Sequence, residues 1–255
     1  MVSQTKGGRA GRVRSVVLSA TILATTLALA ACASVPPSDA EGGPALPPAQ
    51  TTTIPASQTL DAPDPPTADP YTVVTVGDSI MTGNGVDPDQ AWPVLLADSE
   101  GWQLTNLAED GAGFLAIGDD GGTLADQVTK AESLPSAPDL ILVSASSNDL
   151  GEDPSDIGDA ARSAFARLKA TFPSSTIIGL SAIWGSDDPD EGLAPLNDAV
   201  QQAALDEGAD WIDVGEPLLD QPDLMQDDDV HPTADGLVVM ANALGEDLQP
   251  FVPAD

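Results

Sequence analysis

Thr72-Val73-Val74-Thr75-Val76-Gly77-Asp78-Ser79-Ile80 is the stretch from which the architecture can be read. β-Branched residues run from Thr72 to Val76 and stop abruptly at Gly77-Asp78-Ser79. A short apolar run of this kind predicts a buried strand, here delivering a serine at its carboxyl tip. In open parallel sheets, ligands sit beyond the carboxyl ends of the strands. On its own, however, a serine after a strand reads equally well as a turn or helix-cap residue.

Working outward, the same alternation repeats. A helix carrying Trp92, Leu95 and Leu96 follows, with Pro93 tolerated in its first turn. Gln103–Leu107 predicts a second strand, leading to a glycine-rich turn at Gly111 and Gly113 and a helix near 124–133. Asp139–Val143 predicts strand three, and Asp153-Pro154 reads as a cap with proline at the first helical position. Ile157, Ala161, Ala164, Phe165 and Leu168 then form a helical stripe that ends before Pro173. Thr176–Leu180 is strand four, and Leu193, Leu196, Val200 and Ala204 recur at helical spacing up to Gly208. Trp211–Val214 is strand five; Leu237, Met240, Ala241, Leu244 and Leu248 mark a final helix stopped by Pro250. Strands alternating with helices imply a parallel sheet with crossover helices. The expected fold is therefore α/β, a three-layer, flavodoxin-like sandwich around a five-stranded parallel sheet.

The 255 residues include 8 Lys and Arg against 41 Asp and Glu, a net charge of −33. Lys6, Arg9, Arg12 and Arg14 precede the first acid, Asp39, so removal of the N-terminal segment would leave four cations against 41 acids, a net −37. Such a surface repels nucleic acid and anionic membranes and argues against both as partners. Asp187-Asp188 and Asp227-Asp228-Asp229 lack the spacing of a calcium loop, and the acid excess reads as a solvated coat.

The single cysteine, Cys32, allows no intrachain disulfide. A basic start, an apolar run from Val16 to Ala31 that is diluted by Ser19, Thr21, Thr25 and Thr26, and then Leu29-Ala30-Ala31-Cys32 read as a signal peptide. The tetrapeptide resembles a bacterial lipobox, in which the cysteine is diacylated and becomes the mature N-terminus. The expectation is a signal peptide over 1–31 and a protein anchored to the outer face of the cell membrane through Cys32, two acyl chains giving stable attachment. Residues 32–70, with Pro36-Pro37, Pro47-Pro48 and Pro65-Pro66, form a Pro/Thr/Ser-rich linker. A catalytic or binding domain is expected over 71–255, as a monomer.

Chemistry-bearing residues follow four of the five predicted strands. Ser79 comes after the first, and Glu109-Asp110-Gly111 after the second. Ser146-Ser147-Asn148-Asp149 follows the third, and Asp228-Asp229-Val230-His231 lies before the last helix. All fall on one rim. Ester hydrolysis by serine needs a nucleophile, a base, an orienter and donors for the developing oxyanion. His231 is the only histidine in the chain, so it is the only imidazole available as base.

Gly77-Asp78-Ser79, Gly111, Asn148-Asp149 and Asp228-x-x-His231, in this order, resemble the GDSL/SGNH hydrolase family over roughly Val73 to Leu248. The resemblance implies Ser79 as nucleophile, His231 as base and Asp228 as its orienting partner, with Asp227 or Asp229 as substitutes. It implies an oxyanion hole made of the Ser79 and Gly111 N–H groups and the Asn148 amide, and no cofactor. The family includes esterases, lipases, carbohydrate deacetylases and acyltransferases. The expected function is hydrolysis of short acyl or acetyl esters of a small molecule or carbohydrate. An acyltransferase on the same residues, or a non-catalytic glycan-binding lipoprotein, is the alternative. Two departures stand out. Ser146 occupies a position where the family usually has glycine, so its side chain is expected either to narrow the site or to shift Asn148. Glu109 and Asp110 flank Gly111 and oppose a forming negative charge unless turned to water, which predicts a preference for neutral over anionic esters. Loops after strands one, two, four and five are expected to build the pocket, with Trp184 either lining it or packing beneath it.

Overall fold

The computed structural model describes residues 69–252. The signal peptide, Cys32 and almost all of the linker predicted from the sequence lie outside the described residues. The elements run β1 (Thr72–Val76), α1 (Ser79–Thr82), α2 (Trp92–Glu100), β2 (Gln103–Asn106), α3 (Leu124–Glu132) and β3 (Leu140–Ser144), followed by α4 (Pro154–Thr171), β4 (Thr176–Leu180), α5 (Leu193–Asp206), β5 (Asp210–Ile212) and α6 (Ala234–Leu248). The five strands form one sheet in the order β2-β1-β3-β4-β5. Every neighbouring pair is parallel, with Val74 opposite Thr105 on one side and Ile141 on the other. The expected α/β sandwich is the fold observed.

Side chains alternate across the sheet because the strand period is two. Val74, Val76, Ile141, Val143 and Ile177 point to one face and pack with Val128 of α3, Phe165 and Leu168 of α4, and Leu196 and Val200 of α5. Val73, Leu140, Leu142, Ile178 and Leu180 point to the other and pack with Trp92 and Leu96 of α2 and with Leu237, Met240 and Leu244 of α6. Both faces are covered, which is why β3 is buried along its whole length and reads as an unbroken apolar run. Truncating a fully buried residue such as Ile141 to alanine would cost about 2–5 kcal/mol.

Boundaries differ from the sequence reading at three strands. β2 ends at Asn106, β3 is displaced by one residue, and β5 is Asp210–Ile212 instead of Trp211–Val214. The last of these has a plain cause. The Ser181 N–H closes the ladder on the Ile212 carbonyl, and the Val214 N–H turns to the Ser181 hydroxyl at 2.9 Å.

The chain leaves β1 to build β2 on one side and then returns to build β3 on the other. That reversal leaves a crevice beyond the carboxyl ends of β1 and β3. Ser79 and Asn148 both emerge there. Among the described residues, no helix is long and apolar enough to cross a membrane.

Candidate active site

Ser79 does not sit in a loop; it is the first residue of the four-residue helix α1. Asp78 caps this helix, accepting the Ile80 N–H at 3.0 Å. The Asp78 carboxylate is buried and also accepts the Ser146 hydroxyl at 2.6 Å. Burial raises its pKa, and its hydrogen bonds from Ser146 and Ile80 and the nearby His231 only partly offset this. One residue earlier, the turn is fixed from α3. Gln127, fully buried, accepts the Gly77 N–H at 2.9 Å and donates to the Gly77 carbonyl at 2.8 Å.

The loop before α6 brings the imidazole to this serine. Gln226 and His231 share a backbone bond of 2.8 Å, and the Gln226 side chain donates to the carbonyls of Asn84 at 2.7 Å and Pro232 at 2.9 Å. Asp229 between them takes a left-handed conformation, φ 56°, which aspartate tolerates better than most residues. Because the chain turns there, one oxygen of Asp228 accepts the N–H groups of Val230 and His231, each at 3.0 Å. The other oxygen lies 2.7 Å from Nδ1 of His231, and Nε2 lies 2.9 Å from Oγ of Ser79. Of the three adjacent aspartates, Asp228 is the one that reaches the ring. Its pKa is held below the ordinary carboxylate range, first by the His231 imidazole and then by the two backbone N–H groups. With the Nδ1 proton donated to Asp228, Nε2 is left to accept the Ser79 hydroxyl.

On the opposite side of Ser79 lie the loops after β2 and β3. Gly111 has φ 73°, a left-handed conformation suited to glycine. Among the described residues, neither the Ser79 nor the Gly111 N–H donates to a protein acceptor. Asn148 is exposed in a single 3₁₀ turn, Ser147–Asp149. One N–H of its amide goes to the Ala112 carbonyl at 3.1 Å, and the other remains as a donor. Asp149, fully buried beside it, accepts the N–H groups of Phe114 at 2.7 Å, Leu115 at 3.0 Å and Ala116 at 2.8 Å. A Cβ on Gly113 would come within 2.3 Å of the Asp149 carboxylate, so only glycine lets the loop lie this close. Ser146 is fully buried, turned away from the crevice and bonded to the Asn148 backbone. Its hydroxyl accepts the Asn148 N–H at 3.1 Å while donating to Asp78.

The acids flanking Gly111 do not point to water. Glu109 is buried and accepts the N–H groups of Asp120 at 3.1 Å and Gly122 at 2.9 Å, with the Lys130 ammonium 3.7 Å away. Asp110 accepts from the Thr82 hydroxyl and, at 2.5 Å, from the Asn84 amide. It thereby ties the Gly111 loop to the end of α1.

A pocket of about 50 Å³ opens beside the site, against Ile80 and Val230, the sequence neighbours of Ser79 and His231. It is lined by Ile80 after β1, Ser147 after β3, Ile183, Trp184 and Gly185 after β4, and Asp229 and Val230 before α6. The expected contribution from the loop after β2 is absent from this lining, and the β3 loop takes its place, because the Gly111 loop is drawn down onto Asp149. Trp184 both lines the pocket and packs on the core beneath it. A larger cleft of about 160 Å³, bounded by Thr72, Gln103 and Pro138, opens at the amino ends of the strands, away from this chemistry.

Four residues that support the site were not singled out in the sequence: Gln127, Asp149 in this role, Gln226 and Asp110 as a tether. A fully apolar neighbourhood on α3 (Leu124, Val128 and Ala131) was the one available signal that Gln127 faces inward.

Comparison with curated protein sequences finds no match. Among solved structures, the chain is similar to the psychrotrophic esterase EstA from Pseudoalteromonas sp. at 16% identity, covering 71% of this chain and 98% of that one with a TM-score of 0.57. It is also similar to a family two carbohydrate esterase from Cellvibrio japonicus at 17% identity, 71% and 61% coverage and a TM-score of 0.57. A protein of the lipolytic G-D-S-L family from Veillonella parvula shares 20% identity, with 69% and 96% coverage and a TM-score of 0.55. At these identities the likeness is one of fold. Residues 75–237, which span β1 to the start of α6 and hold Ser79, Gly111, Asn148, Asp228 and His231, match the GDSL-like lipase/acylhydrolase family model, and the chain belongs to that family.

Proposed function

We propose that the protein is a serine esterase that hydrolyses short acyl esters through Ser79, His231 and Asp228. The observation that carries this reading is the line of contacts from Asp228 Oδ2 to His231 Nδ1 at 2.7 Å and from Nε2 to Ser79 Oγ at 2.9 Å. In the reaction, Nε2 takes the Ser79 proton as Oγ attacks the ester carbonyl carbon. The carbonyl oxygen becomes an oxyanion, which the N–H groups of Ser79 and Gly111 and the Asn148 amide are available to receive. Collapse breaks the bond to the alcohol oxygen, which leaves with the proton from Nε2. Water then attacks the acyl-serine, giving its proton to Nε2, and a second collapse releases the carboxylic acid and restores the Ser79 hydroxyl. Asp228 remains ionised throughout and holds the ring in the tautomer that leaves Nε2 free.

Pocket size supports a short acyl group. An apolar cavity of about 150 Å³ holds benzene, so about 50 Å³ is room for a group of roughly acetyl size. Charge supports a neutral ester of a small molecule or carbohydrate. The cations after residue 14 are Lys130, Arg162, Arg167 and Lys169, all on α3 and α4 and none on a loop that builds the site. The Pseudoalteromonas esterase is described as inhibited by monoethylphosphonate, which suggests the probe. A fluorophosphonate should label the wild type and not Ser79→Ala, alongside turnover of p-nitrophenyl acetate over an anionic acyl donor. Asp228→Asn should lower kcat on the order of 10⁴-fold. Equal labelling of Ser79→Ala would overturn the assignment. We further propose that the protein acts as a monomer held at the outer face of the cell membrane through lipidated Cys32, on the strength of the Leu29–Cys32 motif. Cys32→Ser should release it from the membrane fraction.

A further inference from the structure

Ser146 is a buried hydroxyl that the reaction as derived does not use. Its surroundings are unusual, because it makes one bond to each half of the site. Through Oγ–H it donates to Asp78, whose other oxygen caps the helix that starts with Ser79. Through a lone pair the same oxygen accepts the backbone N–H of Asn148. The hydroxyl therefore sits between the residue preceding the nucleophile and the residue bearing the amide donor, from segments 68 positions apart in sequence.

We propose that Ser146 is a positioning residue of the esterase reaction, holding the Asn148 amide at a fixed distance from the Ser79 helix. This rests on the roles given above to Ser79 and Asn148. An oxyanion donor works only within hydrogen-bond reach of where the oxygen will be, about 2.7–3.1 Å. The turn Ser147–Asp149 is otherwise closed by its own backbone bonds, from the Asp149 N–H to the Ser146 carbonyl at 3.2 Å and from the Leu150 N–H to the Ser147 carbonyl at 3.1 Å, neither of which reaches the Ser79 helix. Asn148 keeps one amide bond, to Ala112, and Asp149 anchors the loop on the far side. Glycine at position 146 would leave the Asp78 carboxylate short of a donor and the Asn148 N–H short of an acceptor. In this chain the serine hydroxyl joins them.

A positioning role predicts an effect on turnover and not on binding, and an effect that vanishes once the amide is gone. With p-nitrophenyl acetate, Ser146→Ala should lower kcat roughly ten- to a hundredfold with KM within about twofold. In an Asn148→Ala background the same substitution should lower kcat by less than about threefold, since both act through one interaction. Ser146→Cys, similar in volume with a weaker donor, should fall between wild type and Ser146→Ala, and provides the comparison if the alanine variant does not fold. A kcat within about twofold of wild type for both folded variants, a change confined to KM, or an undiminished loss in the Asn148→Ala background would each overturn the role of Ser146 while leaving the esterase standing. A wild type that neither turns over ester nor takes the fluorophosphonate would overturn both.

Discussion

Gln127 on α3 meets the backbone of Gly77 at both of its polar groups, receiving the N–H at 2.9 Å and donating to the carbonyl at 2.8 Å. Gly77 lies beyond the end of β1, where the sheet ladder no longer supplies partners. The buried amide pairs the N–H, shares the carbonyl with the Glu109 N–H at 3.2 Å, and fixes the turn into α1. Gln127→Leu, similar in size, would leave the buried Gly77 N–H unpaired at about 1–3 kcal/mol, while the Gly77 carbonyl keeps the Glu109 N–H at 3.2 Å. The expected loss is about 1–3 kcal/mol, read from urea denaturation, with the slope unchanged. A leucine variant as stable as wild type would show that Gly77 finds other partners.

Asp78 gives a pH-dependent effect whose sign can be worked out. Its folded-state pKa is raised, chiefly by burial. Stability associated with the neutral carboxyl is fully present below the unfolded carboxylate value, near 4, and is lost as pH rises through the higher folded value. Asp78→Asn stays neutral at every pH and keeps an oxygen to cap the Ile80 N–H. The variant should therefore gain on wild type as pH rises above the ordinary carboxylate value near 4, seen as a growing difference in urea midpoint. A difference that is constant or shrinks as pH rises would contradict the burial argument. Turnover should fall in the same variant, because the charge facing His231 is removed.

Asp149 and Gly113 form one unit. The carboxylate collects three backbone N–H groups from 114–116, and the missing side chain at Gly113 is what lets them approach. Asp149→Ala should cost more than about 3 kcal/mol, since bonds to a charged acceptor are each worth about 1.5–3. Gly113→Ala should reproduce much of this loss by pushing the carboxylate away. The double variant should cost clearly less than the sum of the two, because both remove the same contacts. Additive losses in a denaturation cycle would separate them.

These residues show which parts of the molecule the chain announces. Strand–helix alternation is written in apolar periodicity, because both sheet faces are covered and each element needs its own buried stripe. The fold and the approximate strand limits follow from it. Ser79, His231 and Asp228 could be proposed because the one imidazole of the chain follows a carboxylate by three residues and a serine stands at a strand tip, in an order that resembles the family's. The supporting groups are ordinary residues in ordinary places. Gln127 looks like any helical glutamine, and Gln226 like any loop amide, until tertiary packing turns them inward. Ser146 was legible as a departure, but its consequence was not. Whether an added hydroxyl crowds a site or bridges it depends on where Asp78 lies, 68 positions earlier. The end of β5 was misread because Val214 is apolar, while its N–H is claimed by Ser181 and not by the neighbouring strand.

Trp184 sets the far wall of the pocket beside Ser79 and is braced from behind by the core on the α3–α5 side. If this pocket takes the acyl group, as proposed, its bulk is the feature that limits acyl length. Ile80 and Val230 bound the same space from the nucleophile and histidine sides, but changing either would disturb the reacting groups themselves. Trp184→Ala should enlarge the pocket and shift preference from acetate toward butyrate or hexanoate esters. One methylene accommodated in an apolar pocket is worth about 10- to 200-fold in kcat/KM, so the ratio of hexanoate to acetate turnover should rise at least about tenfold. Fluorophosphonate labelling of Ser79 should persist, which separates a change of specificity from collapse of the site. If the ratio stays where it is in a variant that still labels, the acyl chain lies elsewhere and the alcohol portion of the substrate occupies this pocket.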